Sequence, residues 1–252
     1  MTLVSIRNVW TSARNIVLRS GNPHNYLRMV EHIIALRLGM GVDDVVISTN
    51  SGDPPLFDRS SVDLVEAVEQ CGIIERDEPA QYVTVKEPVT FGGNRGDFLT
   101  FLPPENGEKK LRLDVAIDFN SIIGQQRIVF DVTPDSFRHG AFARTNASHG
   151  QMLMVCLFGF LFADTRNLGY TTDNILIHGK HKYYGEPRFV QEDSGKALEP
   201  VWHRATLDLL AAIALIDIGR FVGRVVSYRA GHTLDARAVG LLYKHGLLTT
   251  LA

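Results

Sequence analysis

Cysteine is scarce in this chain of 252 residues: there are two, Cys71 and Cys156, with no CxxC or zinc-knuckle spacing. A disulfide framework is therefore excluded, and the two read as reduced thiols of a cytoplasmic protein. Charge of one sign is also missing, with 26 Lys and Arg against 28 Asp and Glu. That balance carries no broad electrostatic footprint for nucleic acid or an anionic membrane, although a local basic patch remains open. No hydrophobic run is long enough to span a bilayer. The longest, Met152 to Ala163, has 12 residues, against about 20 for a membrane-crossing helix. The run reads as buried core, a lipid-contacting wall or a membrane-surface element. The first residues lack the basic start, apolar stretch and small-residue cleavage site of a secretion signal, and no low-complexity segment occurs.

What is present is ordinary globular composition, 45% hydrophobic and 21% charged, enough for a sizeable core in one large or two small domains. The first thirty residues suggest one or two strands with a turn at Ser20 to Pro23. Helical spacing follows over Tyr26 to Leu38, with Gly39 and Gly41 as a stop, then a short buried strand at Val45 to Ser48. Ser60 and Ser61 stand where they cap a second helix, Val62 to Gln70, ended by Gly72. The polar stretch Glu75 to Gln81, with Pro79, is the best boundary. Beyond it lie strands at Gln81 to Lys86, Phe98 to Leu102, Leu111 to Phe119, Gln126 to Asp131 and Asn174 to His178, then a long helix from about Trp202 to Gly219. The expected fold is α+β, with a first domain over residues 1–79 and a second over 80–252 that carries an apolar insert near 146–178.

Nine histidines are too many for all to be catalytic. His24, His139, His149 and His245 have no ionisable neighbour at a useful spacing, and the HxxH pair His178 and His181 reads most simply as part of a solvated loop. Three places stand out: Glu31-His32 within the first helix, His203 followed by Asp208, and Gly231-His232. Each alone has a bland structural reading. Together they match a catalytic zinc site, in which two histidines and a carboxylate hold the metal and leave a position open for water. An adjacent Glu takes a proton from that water, and a further His gives one to the leaving group.

Motif order sharpens this. Val30-Glu31-His32 is followed by Gly41-Val42-Asp43-Asp44, Asp58-Arg59-Ser60-Ser61, Ile117-Asp118-Phe119 with Gln125-Gln126-Arg127, Ala143-Arg144-Thr145 and Tyr228-Arg229-Ala230-Gly231-His232. No one of these is specific, but in this order the chain resembles the UDP-3-O-acyl-N-acetylglucosamine deacetylase family, zinc amidases of lipid A synthesis. The resemblance implies two similar sheet-plus-helices domains with the helices sandwiched between the sheets. It implies Zn2+ held by His32, His203 and Asp208, Glu31 as general base, His232 as general acid and Thr145 as an oxyanion donor. Arg204 and Arg229 stand where the family has lysines near the substrate diphosphate. The apolar run falls in the insert that forms the family's acyl passage. The implied partner is a small N-acylated sugar or sugar nucleotide, with or without its acyl chain, and not nucleic acid; the resemblance fixes no oligomeric state.

Three departures accompany the resemblance. The family's ligand pair is HxxxD, but here Asp208 stands five positions after His203, which sets them about 140° apart on an ideal helix. Either the helix begins after Ala205, or a π-bulge realigns the two, or Asp208 is not a ligand. The family's second carboxylate, which supports the catalytic His, has no counterpart in Leu209 to Ile213, and Asp217 is two turns too far. The family's earliest strands are also missing, so the first domain is expected to be shortened and the protein to be a divergent paralogue. Two alternatives to the lipid A precursor deacetylase follow: a deacetylase of a specialised metabolite, or a catalytically silent paralogue that binds a nucleotide sugar, acyl chain or protein partner.

Overall fold

Short extended segments open the chain: β1 (Val9–Thr11), β2 (Val17–Arg19) and β3 (Tyr26–Leu27) pair antiparallel in that order. The structure, a computed structural model, describes residues 2–251 except Arg14, Pro23, Ser51, Asp53, Pro55, Leu56 and residues 159–170. From β3 the backbone passes through Met29 at φ +53° and enters α1 (Glu31–Gly39). The helix expected from Tyr26 therefore starts at Glu31, because a left-handed residue cannot continue a right-handed helix. The expected strand at Val45 to Ser48 does not form. Val45, Val46 and Ile47 are exposed and in no ladder, since β-branched residues favour a strand only where a partner and a face to pack against exist. α2 (Val62–Cys71) ends at Gly72, whose φ of +78° suits glycine.

The second half is built on longer strands. β4 (Tyr82–Val85), β5 (Val89–Gly92), β6 (Phe98–Leu102), β7 (Leu111–Phe119) and β8 (Gly124–Asp131) precede α3 (Pro134–Gly140). Then come β9 (Thr145–Ser148), α4 (His149–Phe158), β10 (Ile175–His178) and β11 (Tyr183–Tyr184). The expected long helix is three pieces: α5 (Glu199–His203), a π-helical segment over Arg204–Leu209, and α6 (Leu210–Ala214). β12 (Arg220–Phe221), β13 (Gly223–Tyr228), α7 (His232–Lys244) and β14 (Leu248–Leu251) complete the chain. The largest sheet runs β5-β6-β13-β7-β8, parallel only between β13 and β7. Smaller sheets run β12-β4-β14 and β11-β10-β9. The chain is thus α+β with mixed sheets, and the strands expected near residues 82, 98, 111, 126 and 175 are all present.

Alternation along β7 turns Leu111, Leu113, Val115 and Ile117 inward against the helices. α1 packs on α6 and on the π-helical segment, and α6 packs on α7. One apolar core joins Ile16, Ile34, Leu36 and Val65 of the first half to Phe101, Leu113, Leu209 and Leu242 of the second. Close approach at this core has sequence causes. A Cβ on Gly140 would lie 2.1 Å from Thr206 Oγ1, so glycine lets α3 abut the π-helical segment. The apolar run from Met152 is not core as far as Phe158: Leu153, Met154, Leu157 and Phe158 of α4 are exposed, because α4 packs on the β9–β10 sheet and not between the helices. The rest of that run lies outside the described residues. No helix among the described residues is long and apolar enough to cross a membrane.

Candidate active site

Four chain segments bring ionisable side chains to one point. Glu31 and His32 open α1, His203 ends α5, Asp208 lies in the π-helical segment and His232 opens α7. The π-bulge named as one arrangement for this stretch is present. Leu210 N–H bonds Ala205 C=O, five residues back, so the widened turn absorbs the extra residue. Asp208 Oδ1 then stands 3.6 Å from His203 Nδ1 and 3.7 Å from His232 Nε2. His232 Nε2 is also 3.7 Å from Glu31 Oε1.

Burial sets the protonation of this cluster. Glu31 is 4% exposed, and burial, offset in part by the charge of His232, pushes its carboxyl up to about 7. Its Oε1 accepts the Ile16 backbone N–H at 2.5 Å, which ties the residue to the segment before β2. His32 is pushed down to about 3, by burial first and then by the charge of His203, so its ring is neutral at ordinary pH. For Asp208 burial opposes ionisation, but the neighbouring His203 and His232 outweigh it and hold the carboxyl well below the usual range. The cluster therefore contains a neutral imidazole, an anion and a carboxyl poised near neutrality.

The donors suit a zinc ion in two respects. His32 Nε2 and His203 Nε2 face each other at 3.4 Å, about the separation of two nitrogens bound tetrahedrally at roughly 2.05 Å from one Zn2+. His32 Nδ1 lies 2.9 Å from Ser61 Oγ, the outer hydrogen bond that turns Nε2 toward a metal. The third donor is less prepared: Asp208 lies on the Nδ1 side of the His203 ring, and among the described residues no three His, Cys, Asp or Glu side chains form a ready cage. A side-chain rotation is needed to close one.

Ser61 was legible as a helix cap and as the end of the Asp58-Arg59-Ser60-Ser61 motif, not as a partner of His32. It does occupy the N-cap of α2, yet its hydroxyl makes no capping bond and serves His32 instead. Among the described residues, three of the five non-glycine residues with positive φ, Met29, Ser60 and Arg229, lie within three positions of Glu31, Ser61 or His232 in sequence, as expected where a site imposes backbone strain.

The remaining expected residues are placed differently. Thr145 begins β9 and lines a cavity of about 160 Å³ with Met29, Ala147, Met152, Val155 and Ile175. That cavity joins the segment leading into Glu31 to the cavity-facing side of α4. Arg229 is exposed, 4.0 Å from Asp118. Arg204 turns inward instead: it is 6% exposed, and its guanidinium donates to Asp235 Oδ1 at 2.7 Å and to Ala230 O at 2.9 Å. Arg144 of the Ala-Arg-Thr motif is a clamp, bonded through Nε and Nη2 to Glu199 at 2.7 and 3.0 Å. Glu199 and Asp235, both 0% exposed, were missed because nothing in their local sequence marks a carboxylate as buried. His139 packs on Phe189 and Trp202, and His149 stacks on Tyr184. A larger cavity of about 600 Å³, lined by Val62, Arg138, His139, Phe142, Arg188 and Phe189, contains none of the expected site residues.

Comparison with known proteins agrees with the motif order. The family described as LpxC, UDP-3-O-acyl N-acetylglycosamine deacetylase, matches residues 2–244. UDP-3-O-acyl-N-acetylglucosamine deacetylases of Brucella ovis, Brucella canis and Brucella abortus are each 29% identical over 223 residues, which cover 84% of this chain and 69% of theirs. With Glu31, His32, His203, Asp208 and His232 gathered at one point, and a family match that runs through all of them, the chain belongs to the UDP-3-O-acyl N-acetylglycosamine deacetylase family.

Proposed function

We propose that the protein is a zinc-dependent deacetylase that removes the N-acetyl group from a UDP-3-O-acyl-N-acetylglucosamine-like substrate. The observation that carries this reading is the convergence of a buried Glu31 on His232 Nε2 at 3.7 Å, beside the facing His32 and His203 nitrogens. A module that only bound nucleotide sugar would have no need of a base raised to about 7 opposite a second proton carrier. His32, His203 and, after rotation, Asp208 would hold the metal. Zinc, when bound, supplies Lewis acidity for the amide carbonyl and lowers the pKa of water.

The chain's own groups move the protons. Glu31 takes one from the attacking water, and its carboxyl near neutrality suits it to both accept and release a proton at working pH. His232 Nε2 gives a proton to the departing nitrogen as the C–N bond breaks, leaving acetate and a free amine. Thr145 offers a hydroxyl to the developing oxyanion. The cavity it shares with Met152 and Val155 suits the first carbons of an acyl chain. Arg229, exposed in the connection between β13 and α7, is the residue for the diphosphate; Arg204 is committed to internal partners. We place the domain boundary near Pro79 and the protein in the cytoplasm.

Zinc content and acetate release from UDP-3-O-acyl-N-acetylglucosamine, followed by mass spectrometry, test this reading. The wild type is expected to bind about one zinc per chain and to turn over. Glu31→Gln should keep the metal and lose about 10²–10⁴-fold in kcat, and His32→Ala should lose the metal. Zinc-loaded wild type that releases no acetate from this substrate would favour the silent or specialised paralogue.

A further inference from the structure

Between Met152 and Phe158 α4 has no side chain more polar than Cys156, and a helix that is apolar all round belongs under cover. Only one side of it is covered: Met152 and Val155 face the cavity that Thr145 lines. Leu153, Met154, Leu157 and Phe158 are 44–57% exposed, and at about 100° per residue they form one continuous outward stripe. The stripe begins beside positive charge. β9 and β10 run parallel with Ser148 opposite His178, so α4 starts at the edge where the β10–β11 turn carries the exposed Lys180, His181 and Lys182. His149, the first residue of α4, stacks on Tyr184 with centroids 4.7 Å apart, and Lys182 Nζ lies 4.8 Å over the same ring. Neither Thr145 to Phe158 nor Ile175 to Tyr184 contains an Asp or Glu. The acids that flank β10 and β11, Asp173 and Glu186, stand toward the other end of that sheet. The β7–β8 turn adds an apolar side chain at the lysine edge: Ile122, 38% exposed, donates its N–H to Gly179 O at 3.2 Å.

A second copy of the chain fits this face poorly. The outward side of α4, about 15 Å long and 10 Å wide, is far below the ~800 Å² that each partner of a stable interface buries. Its stripe also offers no hydrogen-bonding side chain, where protein interfaces carry about one hydrogen bond per 100–200 Å². A bilayer asks for neither, and an apolar stripe beside lysines matches hydrocarbon next to anionic headgroups. We propose that the outward face of α4, with Lys180 and Lys182 beside its start, docks this protein on the surface of an anionic phospholipid bilayer. α4 is too short to cross the bilayer and lies along it, with Leu153 and Leu157 in the acyl boundary and the lysines among the phosphates. The inference stands apart from the deacetylase reading, because it concerns the side of α4 that faces away from Thr145.

Flotation of the full chain with vesicles tests it, using phosphatidylcholine alone and phosphatidylcholine mixed in equal parts with phosphatidylglycerol. The wild type should float with the mixed vesicles, and far less with phosphatidylcholine alone or in high salt. Leu153→Gln with Leu157→Gln should lower the affinity about 10-fold per leucine. Both leucines are exposed, so circular dichroism should match the wild type. Lys180→Gln with Lys182→Gln should lower the affinity for mixed vesicles about 5-fold per lysine. A wild type that floats with neither vesicle overturns the proposal, as does flotation that survives the leucine change. Should the leucine variant unfold, the lysine variant decides: an affinity for mixed vesicles equal to that of the wild type overturns the docking. A wild type that is dimeric in gel filtration and does not float, with a monomeric leucine variant, assigns the face to a second copy and overturns it too. Flotation as expected in a protein that releases no acetate upholds the docking and overturns the deacetylase reading alone.

Discussion

Ser61→Ala separates the metal site from the scaffold around it. The Ser61 hydroxyl is fully buried, and its described partner is His32 Nδ1 at 2.9 Å. Removing it leaves a ring nitrogen without a partner inside the protein, which should destabilise the fold by about 1–3 kcal/mol. The same bond turns His32 Nε2 toward His203, so zinc affinity should fall about 10–100-fold, equivalent to roughly 1.4–2.7 kcal/mol. Ser60→Ala is the control. Ser60 is also buried and its Oγ donates to Ala143 O at 2.7 Å, so its loss strands a backbone carbonyl and lowers stability by a similar amount. It touches no ring of the cluster, and zinc affinity should be kept. Competition for zinc against a chromophoric chelator reads the affinity, and urea denaturation of the zinc-free proteins reads the stability. If the two variants lose zinc affinity equally, or if Ser61→Ala loses none, the hydroxyl does not orient His32 and the metal site built on it falls.

Gly140→Ala would put a Cβ 2.1 Å from Thr206 Oγ1; denaturation should show a loss of about 1–3 kcal/mol from overpacking. Thr206→Ala in the same chain should restore only part of it, because the Thr206 Cβ is itself 2.8 Å away. Glu199→Gln removes the charge that holds Arg144, at 2.7 Å and with side chains 6% and 0% exposed, and breaking a buried pair on one side should cost about 3–5 kcal/mol in denaturant midpoint terms. Asp217 predicts an acid limb. Burial opposes its ionisation, but the Ser5 and Tyr243 hydroxyls, each at 2.6 Å, hold the carboxyl below its ordinary value of 3.8. A depressed carboxylate contributes stability that is present above its unfolded pKa and lost as pH falls through the lower folded one. Urea midpoints of the wild type should therefore fall more steeply below about pH 4 than those of Asp217→Asn.

The sequence by itself marked the residues that the fold gathers at one point and showed where most strands lie. Phe98 to Leu102 and Leu111 to Phe119 were readable because alternation is a local property of one strand. Glu31, His32, His203 and His232 were readable because motif order survives without any knowledge of distance. Tertiary structure decided the rest. The step of five positions to Asp208 left the helix geometry open, and the π-helical segment forms where it packs against Gly140 and α1. Local pattern also marked Val45 to Ser48 as a buried strand, but burial requires a partner, and none of the described strands lies there. Arg204 read as a surface cation for phosphate, and became an interior one only because Asp235, 31 residues on, comes to lie beside it. Which carboxylate is buried, and which cation it meets, depends on the distance between segments far apart in the chain, and no local run of residues encodes that.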